Sequence, residues 1–342
     1  MKAMLLERIT NLETERSPLR MAEVAVPEPS QGQLLVRVSA CGVCHTELDE
    51  IEGRTPPPRF PVVLGHQVVG RVEAAGLGAS RFALGTRVGV AWIWSSCGIC
   101  PFCRRGLENL CPDFRATGRD ADGGYAEYMV VPEGFAHPIP DTFTDFEAAP
   151  LLCAGAIGYR SLRLAALEGK ATLGLTGFGA SAHLVLKMVR HRYPSVQTFV
   201  FARSEKERSF ALELGAVWAG DTDEPSPEKL DAVIDTTPAW KPVVAALGNL
   251  KPGGRLVVNA IRKEEKDKSA LQELRYPEHL WLEKEIKSVA NVTRQDVREF
   301  LDLAAAIPLR PEVQLFDLTQ ANEALVELKE RKIRGAKVLR IG

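Results

Sequence analysis

Through roughly the first 150 positions the apolar residues fall in short runs, among them QLLVRVSA, VVGRVEAAG and TRVGVAW. These runs are rich in Val and bounded by Gly, Pro and Ser, so they predict strands and this part of the chain reads as mainly β. Near Cys153 the pattern changes. Helix-period stretches now alternate with apolar runs: CAGAIGYRSLRLAAL before ATLGLTG, ASAHLVLKMVRHR before QTFVFA, and SEKERSFALELGA before LDAVIDTT. KPGGRLVVNA and EIKSVANV predict further strands. Such alternation predicts a parallel, doubly wound sheet. From about Thr293 the chain adds helices at RQDVREFLDLAAAI and TQANEALVELKERK and a closing strand at GAKVLRIG. There is no internal repeat and no low-complexity linker, so the boundary reads as a packed crossover between domains.

Composition narrows the function classes. The chain has 342 residues, which favours two domains over one core. A hydrophobic content of 45% and a charged content of 25% are those of an ordinary globular protein. The formal net charge of -1 gives no global field for nucleic acid or acidic membranes, and stretches such as RKEEKDK mix both signs. Charges interrupt every candidate membrane span, and the N-terminal MKAMLLERITNLE has no signal-peptide pattern. A cytoplasmic protein is expected. In that compartment the odd count of seven cysteines favours metal binding or catalysis over disulfides.

Four of those cysteines, Cys97, Cys100, Cys103 and Cys111, lie within SSCGICPFCRRGLENLCP, residues 95–112. Two overlapping Cys-x-x-Cys steps supply three thiolates, and the loop RRGLENL returns a fourth. That donor set suits tetrahedral Zn²⁺, which its ligand class favours over an iron–sulfur cluster. Four protein thiolates leave no open position, so such a metal would be a structural staple and the chemistry must lie elsewhere. The remaining cysteines are Cys41, Cys44 and Cys153, and GHQVVGRVE offers His66. A catalytic zinc needs three protein ligands and one open position, but spacing along the chain does not settle which of these residues supply it.

LGLTGFGASAHL presents a second motif. Gly177 and Gly179 stand between an apolar strand and a helix, with Ala182 third, giving G-x-G-x-x-A across Gly177, Phe178, Gly179, Ala180 and Ser181. The first glycine permits a tight turn and the second lets backbone approach a pyrophosphate at the helix N-terminus. Because the motif follows a strand and opens a helix, it predicts dinucleotide binding. The second strand of the unit ends in Ala202, Arg203 and Ser204, without the acidic residue that favours NAD. Arg203 could instead pair a 2′-phosphate, so NADP(H) is slightly favoured over NAD(H).

Taken in order, GVCHTEL, GHQVVGRVE, the four-cysteine lobe, GGYAEYMVVP, LLCAGAIGYRSL, GFGASAH and IRGAKVL closely resemble the zinc-containing medium-chain alcohol dehydrogenases, including their cinnamyl-alcohol-dehydrogenase-like microbial branch. The resemblance runs essentially end to end. It implies a catalytic zinc on Cys44, His66 and Cys153, with Cys41 a small buried non-ligand. Thr46 matches the hydroxyl that hydrogen-bonds the substrate alcohol. Glu47 matches the carboxylate that orients the ligand His, normally Asp. His45 and Arg334 match basic positions near the cofactor pyrophosphate. Trp92 matches a position lining the substrate pocket in some relatives, and its alternative role is core packing. Two departures stand out. Gln67 replaces a Glu behind the zinc, and Asp49 occupies the place of a His that passes the proton to solvent, so the relay could end in Asp49, in a water chain or in direct release.

The expected fold is α/β. A GroES-like, mainly β catalytic domain spans 1–152 and 293–342, with the structural-zinc lobe at 95–112, and a Rossmann dinucleotide-binding domain spans 153–292. The resemblance implies a cleft between the domains as active site, two zinc ions per chain, a homodimer or homotetramer, and reversible hydride transfer between a nicotinamide cofactor and a small-molecule alcohol or aldehyde. The rival readings are a polyol or sugar dehydrogenase on the same scaffold and a non-catalytic zinc and nucleotide binder.

Overall fold

A computed structural model describes residues 1–307, 309–330 and 335–342. The chain divides into two compact units, Met1–Cys153 with Thr293–Gly342, and Ala154–Val292.

The first unit is built on a seven-stranded, mostly antiparallel sheet. Its long central strand, Gln33–Val43, pairs with Val68–Ala75, Tyr128–Pro132 and the C-terminal strand Ala336–Arg340. Register shifts at Leu35/Val36 and Val38/Ala40 bend this strand, as bulges do. Its inward residues Leu34, Val36, Val38 and Cys41 are buried with Leu64, Val68, Val88, Val90 and Tyr125 in one core. Past Val43 the strand runs straight into helix α1 (His45–Ile51), with Cys44 as its extended N-cap residue. The strand therefore delivers Cys44, and one turn of helix delivers Glu47, to the same end of the sheet.

The second unit is a six-stranded, all-parallel sheet. Its elements are β1 (Thr172–Thr176), helix α2 (Ala180–Arg192), β2 (Gln197–Phe201), helix α3 (Glu205–Glu213), β3 (Trp218–Gly220), β4 (Leu230–Asp235), helix α4 (Lys241–Asn249), β5 (Leu250–Val258) and β6 (Glu285–Ser288). The spatial order is β3-β2-β1-β4-β5-β6, so the chain reverses direction across the sheet at β1. Leu173, Leu175, Val200, Val233, Ile234, Leu256 and Val257 are buried without alternation, because helices cover both faces of such a sheet. The expected α/β class, with one mainly β unit and one parallel, doubly wound sheet, is the fold observed. Among the described residues no helix is long and apolar enough to cross a membrane.

Candidate functional site

The four-cysteine lobe is organised around sulfur. Cys97, Cys100, Cys103 and Cys111 are free thiols whose Sγ atoms lie within 4.8 Å of one another. Cys97 and Cys103 are 3.9 Å apart, and Cys111 and Cys97 are 3.5 Å apart. A tetrahedral ion with Zn–S bonds of about 2.3 Å requires edges of about 3.8 Å, so the donor set fits zinc. Backbone N–H groups turn inward to the sulfurs: Cys100 N donates to Cys97 Sγ at 3.4 Å and Cys103 N to Cys100 Sγ at 3.5 Å. The N–H groups of Ile99 and Cys100 bring the Cys97 thiol down to about 7. Gly98, at φ +74°, makes the tight turn between the first two cysteines.

The second group joins residues far apart in sequence. Cys44, His66 and Cys153 each present one donor atom within 4.8 Å of the others. Cys44 Sγ and His66 Nε2 are 3.6 Å apart, the edge expected for a shared tetrahedral zinc at about 2.3 Å from sulfur and 2.05 Å from nitrogen. Among the described residues the group offers three donors, which would leave one position of a tetrahedral ion open. His66 is 1% exposed, and its Nδ1 lies 2.6 Å from Glu47 Oε1. Glu47 Oε2 accepts from Cys44 N at 2.8 Å, so one buried carboxylate orients two of the three donors. Burial pushes the His66 pKa down, but Glu47 and the Cys44 sulfur outweigh it and hold it well above the ordinary range. Gly65, at φ +99°, turns the chain into His66, where a Cβ would meet Tyr125 and sit 2.8 Å from Cys41 Sγ. Cys153 sits in a wide helical turn, Leu151–Gly155, a distortion often found at functional sites.

The other sequence-marked positions fall around this group. Cys41 is fully buried against Gly65 and Gly124, outside the donor cluster. Thr46 is half-buried and His45 exposed on the first turn of α1. Asp49 is 3% exposed and ion-paired with Arg54. Gln67 packs its side-chain amide against Gly42, and its backbone carbonyl accepts from Gly42 N at 3.0 Å. Trp92 is 8% exposed, with its ring 5.1 Å from that of Phe114 and the Arg119 guanidinium 5.8 Å away. Glu50 was not marked by the sequence. It is 1% exposed, it follows Glu47 by one turn, and neither carboxylate oxygen has a hydrogen-bond partner among the described residues. Burial first and Glu47 second push its pKa well up.

In the second unit Gly177 adopts φ +77° directly after β1, and a Cβ there would lie 2.8 Å from Thr236 Oγ1. Phe178 is buried edge-on to Phe210, with centroids 5.8 Å apart. Gly179 and Ala180 are exposed, and among the described residues nothing lies within 4 Å of a Cβ at Gly179 and no side chain caps α2. Half-buried Ser181 follows. The first N–H groups of α2 are thus free to meet an anion, and the loop fits a pyrophosphate. Ala202 is buried and Arg203 exposed at the end of β2, and Ser204 caps α3 by accepting from Glu207 N at 3.1 Å. Arg334 lies outside the described residues.

Residues 30–141 match the family model for the alcohol dehydrogenase GroES-like domain. The chain is 43% identical over 332 residues to a probable alcohol dehydrogenase, AdhA, of Mycobacterium tuberculosis, covering 96% of this chain and 94% of that one. It is 31% identical to an alcohol dehydrogenase of Geobacillus stearothermophilus, covering 95% and 96%. Among solved structures, a cinnamyl alcohol dehydrogenase of Sorghum bicolor superposes with a TM-score of 0.83 at 26% identity, covering 99% and 97%.

Proposed function

This chain belongs to the zinc-binding, medium-chain alcohol dehydrogenases, and from that premise we propose how its own residues carry the reaction. The chain is an NAD(P)-dependent dehydrogenase that transfers hydride between the cofactor and a small-molecule alcohol or aldehyde. The observation that carries the assignment of roles is the Cys44–His66–Cys153 group with Glu47 behind it. These three residues would hold a zinc ion that polarises the substrate oxygen and lowers an alcohol's pKa, while the nicotinamide exchanges the hydride.

Glu47 accepts a hydrogen bond from His66 Nδ1–H, the arrangement that would offer Nε2 to a metal shared with Cys44. During oxidation Thr46 would take the substrate hydroxyl proton only while passing its own hydroxyl proton on toward solvent, and the same exchange runs backward during reduction. Asp49 stands one turn after Thr46 on the same face of α1 and is ion-paired with Arg54, so its carboxylate is one stop for the proton on its way to solvent, with a water chain or direct release as the other routes. Trp92, backed by Phe114, narrows the pocket toward flat or short substrates. Cys97, Cys100, Cys103 and Cys111 hold a second, structural zinc. Gly177 to Ser181 receive the pyrophosphate, and Arg203 favours NADP(H) because no acid ends β2. All seven cysteines are unpaired, which suits a cytoplasmic protein.

The test is metal content with cofactor oxidation. Purified protein should carry two zinc ions per chain and oxidise NADPH faster than NADH with benzaldehyde or short aldehydes. Faster turnover of a polyol panel than of simple alcohols would move the assignment to the polyol class. Zinc and nucleotide binding with no turnover on either panel would overturn the catalytic roles.

A further inference from the structure

The carboxyl edge of the parallel sheet holds a buried charge pair that plays no part in the roles above. Asp235 ends β4, Lys263 follows β5, and their side chains, 0% and 7% exposed, form an ion pair. Lys263 Nζ also donates to Thr237 O at 2.7 Å. Asp235 Oδ1 accepts from Thr237 N at 3.2 Å and from Thr237 Oγ1 at 2.8 Å, and Asp235 O accepts from Asn259 N at 2.7 Å. The network reaches the glycine turn. Thr236 N donates to Thr176 O at 2.9 Å, and a Cβ on Gly177 would lie 2.8 Å from Thr236 Oγ1 and 3.0 Å from Thr237 Cγ2.

Packing alone does not account for this pair, since removing two charges from water is costly and apolar residues of similar volume would fill the space at least as well. Its location gives the reason. Open α/β sheets bind ligands beyond the carboxyl ends of their strands, at the point where strand order reverses. Here that point is β1. The β2 side, ending in Ala202 and Arg203, serves the adenosine half of a dinucleotide, so β4 and β5 serve the other half. An ammonium has three N–H donors, and among the described residues Lys263 uses two. Asp235 and the Thr237 carbonyl fix the ammonium in one place with one donor left over.

We propose that Lys263, held in place by Asp235, is a cofactor-positioning residue that donates its remaining N–H to the ribose hydroxyls of the nicotinamide half. The proposal rests on the dinucleotide reading of the glycine loop. One buried hydrogen bond from a charged donor corresponds to a Kd change of about tenfold or more.

The test titrates zinc-loaded protein with NADH and with AMP, which lacks the nicotinamide half. The double variant Asp235→Leu/Lys263→Met removes both charges and leaves no unpaired ion, and Lys263→Gln is a second route should the double variant not fold. Each should raise the NADH Kd about tenfold or more while AMP stays within about twofold, and Lys263→Arg should restore most of the NADH affinity. NADH affinity within about twofold of the parent, or a loss for AMP as large as for NADH, overturns the proposal. A parent protein that binds neither NADH nor NADPH overturns the dinucleotide reading itself, which keeps the two failures distinct.

Discussion

His137 makes the first unit sensitive to acid in a way that can be calculated. It lies in the strand Ala136–Pro138, 3% exposed, and its Nδ1 has no hydrogen-bond partner among the described residues. Burial, followed by the field of Arg298, Arg81 and Arg294, lowers its pKa from 6.5 to about 3. Acids beside those arginines are already engaged: Glu108 pairs with Arg294, and Glu133 accepts from the backbone N–H groups of Ser80 and Arg81. Between these two pKa values the unfolded chain binds a proton that the folded chain refuses. Stability is therefore lost as pH falls below the unfolded value, at about 1.4 kcal/mol per pH unit, or about 2 kcal/mol at pH 5. The perturbation is His137→Phe, which keeps a flat ring and cannot titrate. Urea melts of both proteins at pH 7, 6 and 5 read the effect, and their difference cancels every group they share. The variant should lose about 2 kcal/mol less than the parent between pH 7 and pH 5. Equal losses would refute a neutral, buried His137.

Three further predictions follow from the two cysteine groups. Gly65→Ala would force a side chain into a backbone at φ +99° and against Tyr125 and Cys41; it should cost about 3 kcal/mol or more and displace His66, seen as a lower melting temperature and loss of one zinc. Cys100→Ser should remove the lobe's zinc alone, with metal analysis falling from two ions to one and NADH binding retained. Glu47→Ala leaves the His66 Nδ1 proton and the Cys44 N–H without their acceptor, so zinc affinity measured by chelator competition should fall about 10–100-fold, and Glu47→Asp should recover part of it.

Local patterns carried well from sequence to structure. ASAHLVLKMVRHR is the helix Ala180–Arg192, and the alternating runs after Cys153 are strands of one parallel sheet. The four clustered cysteines could be read because their spacing alone suits one ion. Helix α4 gives no clear signal because Pro238 and Pro242 punctuate its start, although a proline in the first turn is well tolerated. The strand Trp218–Gly220 is too short to carry a pattern. Pairings between distant segments have no local signature. Asp235 and Lys263 meet only because β4 and β5 are neighbours in register, and Glu50 is buried beyond Glu47 although nothing in HTELDEIEG distinguishes a buried carboxylate from a solvated one. Family resemblance selected Cys44, His66 and Cys153 from the available cysteines and histidines; spacing did not.

The most direct test of the central claim is zinc content and aldehyde-dependent NAD(P)H oxidation of Cys44→Ser beside the parent. The account predicts two zinc ions and turnover in the parent, and one zinc, retained NAD(P)H binding and no turnover in the variant. A variant that keeps two zinc ions, or that turns over normally with one, would contradict the assignment of Cys44, His66 and Cys153 as the catalytic metal site.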